Sequence, residues 1–128
     1  MGDYCENRAQ CLSQALNARI DKPCVLFMHH PPFEVQGSKY RWQYDNQDAV
    51  KRLSRVIGGH DHVVGLFCGH AHRQSVGTIA GVPAGTVPSV AVDLRLGELP
   101  EAAKTAPVFH LHHYLPDTGV ATELHIAA

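Results

Sequence analysis

Two short runs hold the residue types best suited to chemistry. His29-His30-Pro31-Pro32 follows the apolar run Val25-Leu26-Phe27-Met28, and Gly69-His70-Ala71-His72 follows Val63-Val64-Gly65-Leu66-Phe67-Cys68. In both, imidazoles appear where an apolar segment ends. Imidazole nitrogen ligates zinc, iron and copper, and His70 and His72, one residue apart, can converge on metal. Gly69 is expected to let the backbone turn sharply at the strand end. His30 follows His29 directly, so on an extended backbone it is expected to point elsewhere and to contact substrate or a loop. A third candidate stretch is Tyr40-Arg41-Trp42-Gln43-Tyr44. There the planar fork of Arg41 could hold a phosphate and Trp42 or Tyr44 could stack on a base. A loop that simply packs its own aromatics is the plainer alternative.

The elements that must position these residues can be read from the periodicity. Asp3 and Glu6 have the form of a capping box, and Ala9, Leu12, Leu16 and Ile20 recur at helical spacing, which predicts a helix from about Tyr4 to Ile20. Cys24–Met28 and Val63–Cys68 are short and continuously apolar, as strands covered on both faces are. Between them, Asp45 or Asn46 can cap a helix that carries Val50, Leu53 and Ile57 on one face and stops at Gly58-Gly59. Strand, helix and strand make a crossover unit with parallel strands, so both histidine runs should emerge at the same end of one sheet. After His72 the pattern becomes antiparallel. Short strands over 75–80 and 84–87 flank Gly81-Val82-Pro83, and 108–115 and 120–126 flank Pro116-Asp117-Thr118-Gly119. Residues 92–104 read as a loop with a short helix.

The fold class expected is α/β with mixed α+β character. It is a single domain over residues 1–128, with a βαβ part over 1–72 that carries the ligand motifs and an antiparallel part over 73–128. With 128 residues and a formal net charge of −1, the chain has no basic block for nucleic acid. The amino terminus lacks the features of a signal peptide and no apolar run is long enough for a bilayer, so a cytoplasmic protein without a membrane partner is expected. The cysteines, Cys5, Cys11, Cys24 and Cys68, have no C-x-x-C spacing and read as reduced thiols. Histidines outside the two runs have plainer readings. His60 and His62 flank Asp61 in a turn, and His110, His112 and His113 lie on a solvated or interface strand, with His110 and His112 on one face. Asp93, Arg95, Glu98 and Glu101 read as solvated charge.

Taken together, Val-Leu-Phe-Met-His-His-Pro-Pro-Phe and Cys-Gly-His-Ala-His resemble the motifs of the calcineurin-like metallophosphoesterases. Within that superfamily the chain is most similar to the branch of class III cyclic-nucleotide and glycerophosphodiester phosphodiesterases. The helix between the motifs and the later Thr86-Val87-Pro88-Ser89 also fit. The resemblance implies the carboxy-terminal half of an αββα sandwich and a metal-dependent phosphoric diester hydrolase. It implies two metal ions, iron, manganese or zinc, with His29 and His70 on one and His72 on the other. His30, Arg41, Trp42 and Tyr44 would lie toward the substrate.

The family's earlier motifs, D-x-H, G-D after a strand and G-N-H-[DE], are missing from this sequence. Two clamped metals about 3.5–4 Å apart need a bridging carboxylate that the histidines do not supply. The expectation is therefore a catalytic centre incomplete on this chain, holding at most one metal and that weakly. Its partner would be a small phosphodiester, with a homo-oligomer or a complementary amino-terminal half covering the open face. The alternative is a non-catalytic remnant or module that binds a metal or a partner chain.

Overall fold

The computed structural model describes residues 2–127, and its organisation follows from one buried strand. In chain order the elements are α1 (Glu6–Asn17), β1 (Cys24–Met28), α2 (Gln47–Gly58), β2 (Val63–Cys68), β3 (Ser75–Ile79), β4 (Val82–Thr86), two short 3-10 turns, β5 (Val108–Leu115) and β6 (Gly119–Ile126). The first four strands form one sheet in the order β1-β2-β4-β3, and β5 and β6 form a separate antiparallel hairpin. The α/β class expected from sequence is the class observed.

β1 and β2 are parallel, with Met28 opposite Cys68, so the chain leaves both strands at one end of the sheet. β4 runs parallel to β2 as well, with Cys68 opposite Thr86, and antiparallel to β3. The second half of the sheet is thus attached to the first through β4 and does not stand apart from it. The turn between β3 and β4 falls at Ala80-Gly81, so Pro83 lies inside β4 and not in the turn as the sequence suggested. Proline is tolerated there because the ladder to β2 begins only at Ala84.

One face of the sheet is covered by both helices. Leu16, Ala49, Leu53 and Ile57 meet Leu66, Cys68 and Ala84, with Cys24, Leu26 and Met28 packed at the margin. Each large aliphatic side chain buried in this way contributes about 1.5–3 kcal/mol. α2 begins as its sequence predicts, with the Asn46 side chain accepting from the Asp48 N–H at 2.9 Å. α1 is shorter than expected at both ends. Its N-cap is Cys5, with no side-chain cap, so the Asp3–Glu6 capping box does not form. At the other end, ring nitrogens of His62 and His60 lie 3.0 Å from the Leu16 carbonyl and 3.2 Å from Asn17 Oδ1. His62 thus joins the Arg19 N–H at the Leu16 carbonyl, and His60 holds the side chain of the last helical residue.

The opposite face is only partly covered. The hairpin lies over β2, where His112 stacks on Phe67 with ring centroids 3.6 Å apart. At β1 the ring of its His112 lies 6.0 Å, centroid to centroid, from that of Phe27, yet Phe27 is 71% exposed, which overturns the expectation that β1 is covered on both sides. Arg95, expected to be solvated charge, instead donates to the carbonyls of Ser89, Val90 and Ala103 and ties the 89–103 loop together. Among the described residues all four cysteines are free and no helix is long and apolar enough to cross a membrane.

Candidate metal centre

The parallel register of β1 and β2 sets the distance between the two histidine runs. Immediately beyond the Met28–Cys68 pair, the ring nitrogens of His29 (Nε2) and His70 (Nδ1) lie 3.1 Å apart. His30 joins them. Its ring centroid is 4.9 Å from that of His29 and 4.2 Å from that of His70. One ring nitrogen from each of the three lies within 4.8 Å of the others, and no carboxylate belongs to the group among the described residues.

The convergence of His30 corrects the expectation that it would face away from His29. The alternation of side chains holds only along an extended strand. β1 ends at Met28, and His29 and His30 already lie in a bend ahead of Pro31, so their rings can turn to one side. Tyr44 supports the arrangement from beneath. It is buried, its ring sits edge-on to His30 at 6.5 Å, and its hydroxyl lies 3.5 Å from the His30 carbonyl. Burial pushes the Tyr44 pKa up to about 12, so the phenol stays neutral and can donate that bond. Phe33, three residues further on, fastens the loop. Its ring fills the space above Gly77 so closely that a Cβ there would lie 2.6 Å from Phe33 Cδ2.

The turn after β2 is tighter than expected, and glycine does not make it. Gly69 has no positive φ, whereas His70 (φ 61°) and His72 (φ 55°) do. The Gly69 carbonyl accepts from the Ala71 N–H at 2.7 Å, which closes a three-residue γ-turn with His70 at its centre. Positive φ makes this the strained form of the turn. A non-glycine residue in this region typically costs on the order of 1–3 kcal/mol, and such strain collects at functional sites. His72 is held in its turn by its carbonyl, which accepts from Leu96 N–H at 2.8 Å. It does not belong to the histidine trio.

The electrostatics favour the neutral form of His30 and His70. The pKa of His30 is lowered first by burial and then by His70 and His29, and that of His70 first by burial and then by His29 and His72. Neutral imidazoles are the form that ligates metal. Three imidazoles with no carboxylate fit a single borderline cation such as zinc, and they provide no negative charge to bridge two.

The aromatic and basic stretch is not drawn into this group. Arg41 pairs with Glu34, and Trp42, 47% exposed, borders a separate depression near Phe33 and Ile79. Only Tyr44 approaches the histidines, from the core side. His60 and His62 fasten α1 as described, while His110 and His112 form the interface of the hairpin with β2. Sequence spacing had brought His29, His70 and His72 forward. The strain at positions 70 and 72 had no sequence signal beyond Gly69, which pointed to the wrong residue.

No protein-family model matches the chain. Curated relatives do. A probable glycerophosphodiester phosphodiesterase, GpdQ, of Arcobacter nitrofigilis is 32% identical over 125 residues, which is 94% of this chain and 45% of that protein. A probable cyclic nucleotide phosphodiesterase of Rhodopseudomonas palustris is 38% identical over 85 residues, 64% of this chain and 30% of that protein. The glycerophosphodiester phosphodiesterase GpdQ of Enterobacter lignolyticus is 29% identical over 89 residues, 62% of this chain and again 30% of the relative. The chain therefore spans less than half the length of the curated relatives it matches.

Proposed function

We propose that this chain, a relative of bacterial glycerophosphodiester and cyclic nucleotide phosphodiesterases, is the carboxy-terminal, metal-holding part of a phosphoric diester hydrolase. The observation that carries this reading is the convergence of His29, His30 and His70, from two parallel strand ends, to within 4.8 Å of one another. In this reading His29, His30 and His70 hold one ion. His72, presented by a neighbouring strained turn, contributes to a second. A divalent metal bound there supplies a Lewis acid for a phosphoryl oxygen. The chain's own residues hold that position: Tyr44 fixes His30 from below, and the γ-turn fixes His70.

The second ion needs carboxylate donors, and none lies with the trio among the described residues. Turnover by this chain is accordingly proposed to require acidic residues that this sequence does not place beside the trio, from a complementary half or a second copy. The test is an assay of the purified chain, loaded with manganese, iron or zinc, on bis(para-nitrophenyl) phosphate, with bound metal measured in parallel. Turnover abolished by His70→Ala supports a hydrolase that is complete in this chain or its oligomer. Bound metal without turnover, restored by an added amino-terminal half of a relative, supports the divided centre.

A second reading is a non-catalytic module that binds a metal or a partner chain. The exposed Phe27 and Val76 on the sheet favour it, since apolar side chains left open in this way suit a partner. Metal bound without turnover under every complementation would decide for it.

A further inference from the structure

A cleft of about 690 Å³ opens beside the histidine trio, between the ends of β1 and β2 and the hairpin. Its walls include Phe27 and Met28 from β1, Phe67 from β2, Val87 and Val90 from the segment after β4, and Phe109 from β5. The size and apolar lining are those of a small-molecule site. His29 belongs to both the cleft and the trio, so the cleft is continuous with the place where a metal would sit.

The few other polar groups in the cleft differ in what they have left to offer. His112 is engaged, its Nδ1 2.8 Å from Thr122 Oγ1 and its ring flat against Phe67. His110 is not, because its Nε2 is buried without a hydrogen-bond partner in the protein. A buried nitrogen left in that state costs about 1–3 kcal/mol, and as it stands it is closed to the cleft as well as to solvent. Phosphate has nothing to gain from the apolar walls, and a small alkyl group little.

We infer that this cleft is a subsite for the organic arm of a phosphate ester, and that the arm it takes is flat, apolar and aromatic in size. The phosphate would lie at His29, at the end shared with the trio. This inference rests on the proposed metal centre for its anionic end, and the experiment separates the two.

The zinc-loaded chain is titrated calorimetrically with inorganic phosphate, methyl phosphate and 1-naphthyl phosphate. The expected result is that naphthyl phosphate binds at least about tenfold more tightly than methyl phosphate. In Phe27→Ser, a change at an exposed position, that ratio should fall to near one. Equal affinities for all three ligands overturn the subsite and leave the metal reading standing. No binding of any of them overturns both. A ratio that survives Phe27→Ser also overturns it. So does sedimentation of the chain as a dimer that Phe27→Ser returns to monomer, because a second copy would then be what covers the cleft.

Discussion

His29 Nε2 and His70 Nδ1 lie 3.1 Å apart although 41 residues separate them in sequence. The separation is set by backbone register, since Met28 and Cys68 are partners in a parallel ladder and each histidine follows its strand end within two residues. Position 70 carries a further cost, the positive φ of its γ-turn. His70→Ala and His70→Gly should both weaken zinc binding, but they should differ in stability. Glycine adopts positive φ without the Cβ clash that costs other residues about 1–2 kcal/mol. The glycine variant should therefore unfold at higher urea, with a gap near 1 kcal/mol. An alanine variant equal to or more stable than the glycine one would show that the turn is not strained.

Stability should fall in mild acid. Burial lowers the pKa of His110, His112, His30 and His70 from the ordinary 6.5, with neighbouring histidines adding to it for all but His112. A histidine whose folded pKa lies below its unfolded value binds fewer protons when folded, so stability rises with pH in that window. It is full above about pH 6.5 and is lost progressively as pH falls below it. Urea midpoints of the metal-free chain between pH 7.5 and 5 should drop, and His110→Phe should flatten the curve. A midpoint that rises toward acid would contradict the assignment.

Gly77→Ala should loosen the His29–Phe33 loop. The added methyl would stand 2.6 Å from Phe33 Cδ2, and the ring or the strand must move. Overpacking of this kind costs about 1–3 kcal/mol. Because Phe33 lies three residues beyond His30, the same change should lower zinc affinity, which a purely local packing defect would leave untouched. Denaturation and zinc titration of one variant measure both effects.

Asn46→Ala should cost about 1 kcal/mol, the usual value for losing an N-cap side chain. Asp3→Ala should cost far less, because the Asp3 side chain caps nothing and α1 starts from Cys5. Thermal or urea unfolding of the two variants makes the comparison, and equal losses would contradict the helix starts described here.

That contrast also shows how much of the molecule could be read from its sequence. β1 and β2 were legible to the residue because each is a short apolar run bounded by helix breakers or histidines. The parallel pairing, and so the meeting of His29 with His70, followed from the helix between them. What could not be read depended on contacts distant in sequence. α1 stops at Asn17, where His60 and His62 reach back to it, and Phe27 is open although the hairpin's His112 comes within 6.0 Å of its ring. His30 entered the site because the strand ended one residue before the pair, a boundary that period-two reasoning cannot place. The strain at His70 and His72 was hidden behind a glycine that turned out to be ordinary.

The most direct test of the metal centre is zinc binding by the metal-free chain near pH 7.5, measured by calorimetry against a competing chelator, for the wild type and for His29→Ala, His30→Ala, His70→Ala and His72→Ala. The centre described here predicts one zinc per chain, held by His29, His30 and His70. That ion should be lost or much weakened in the first three variants and kept in His72→Ala. Zinc held undiminished by His30→Ala or His70→Ala, or no zinc held by the wild type, would contradict it.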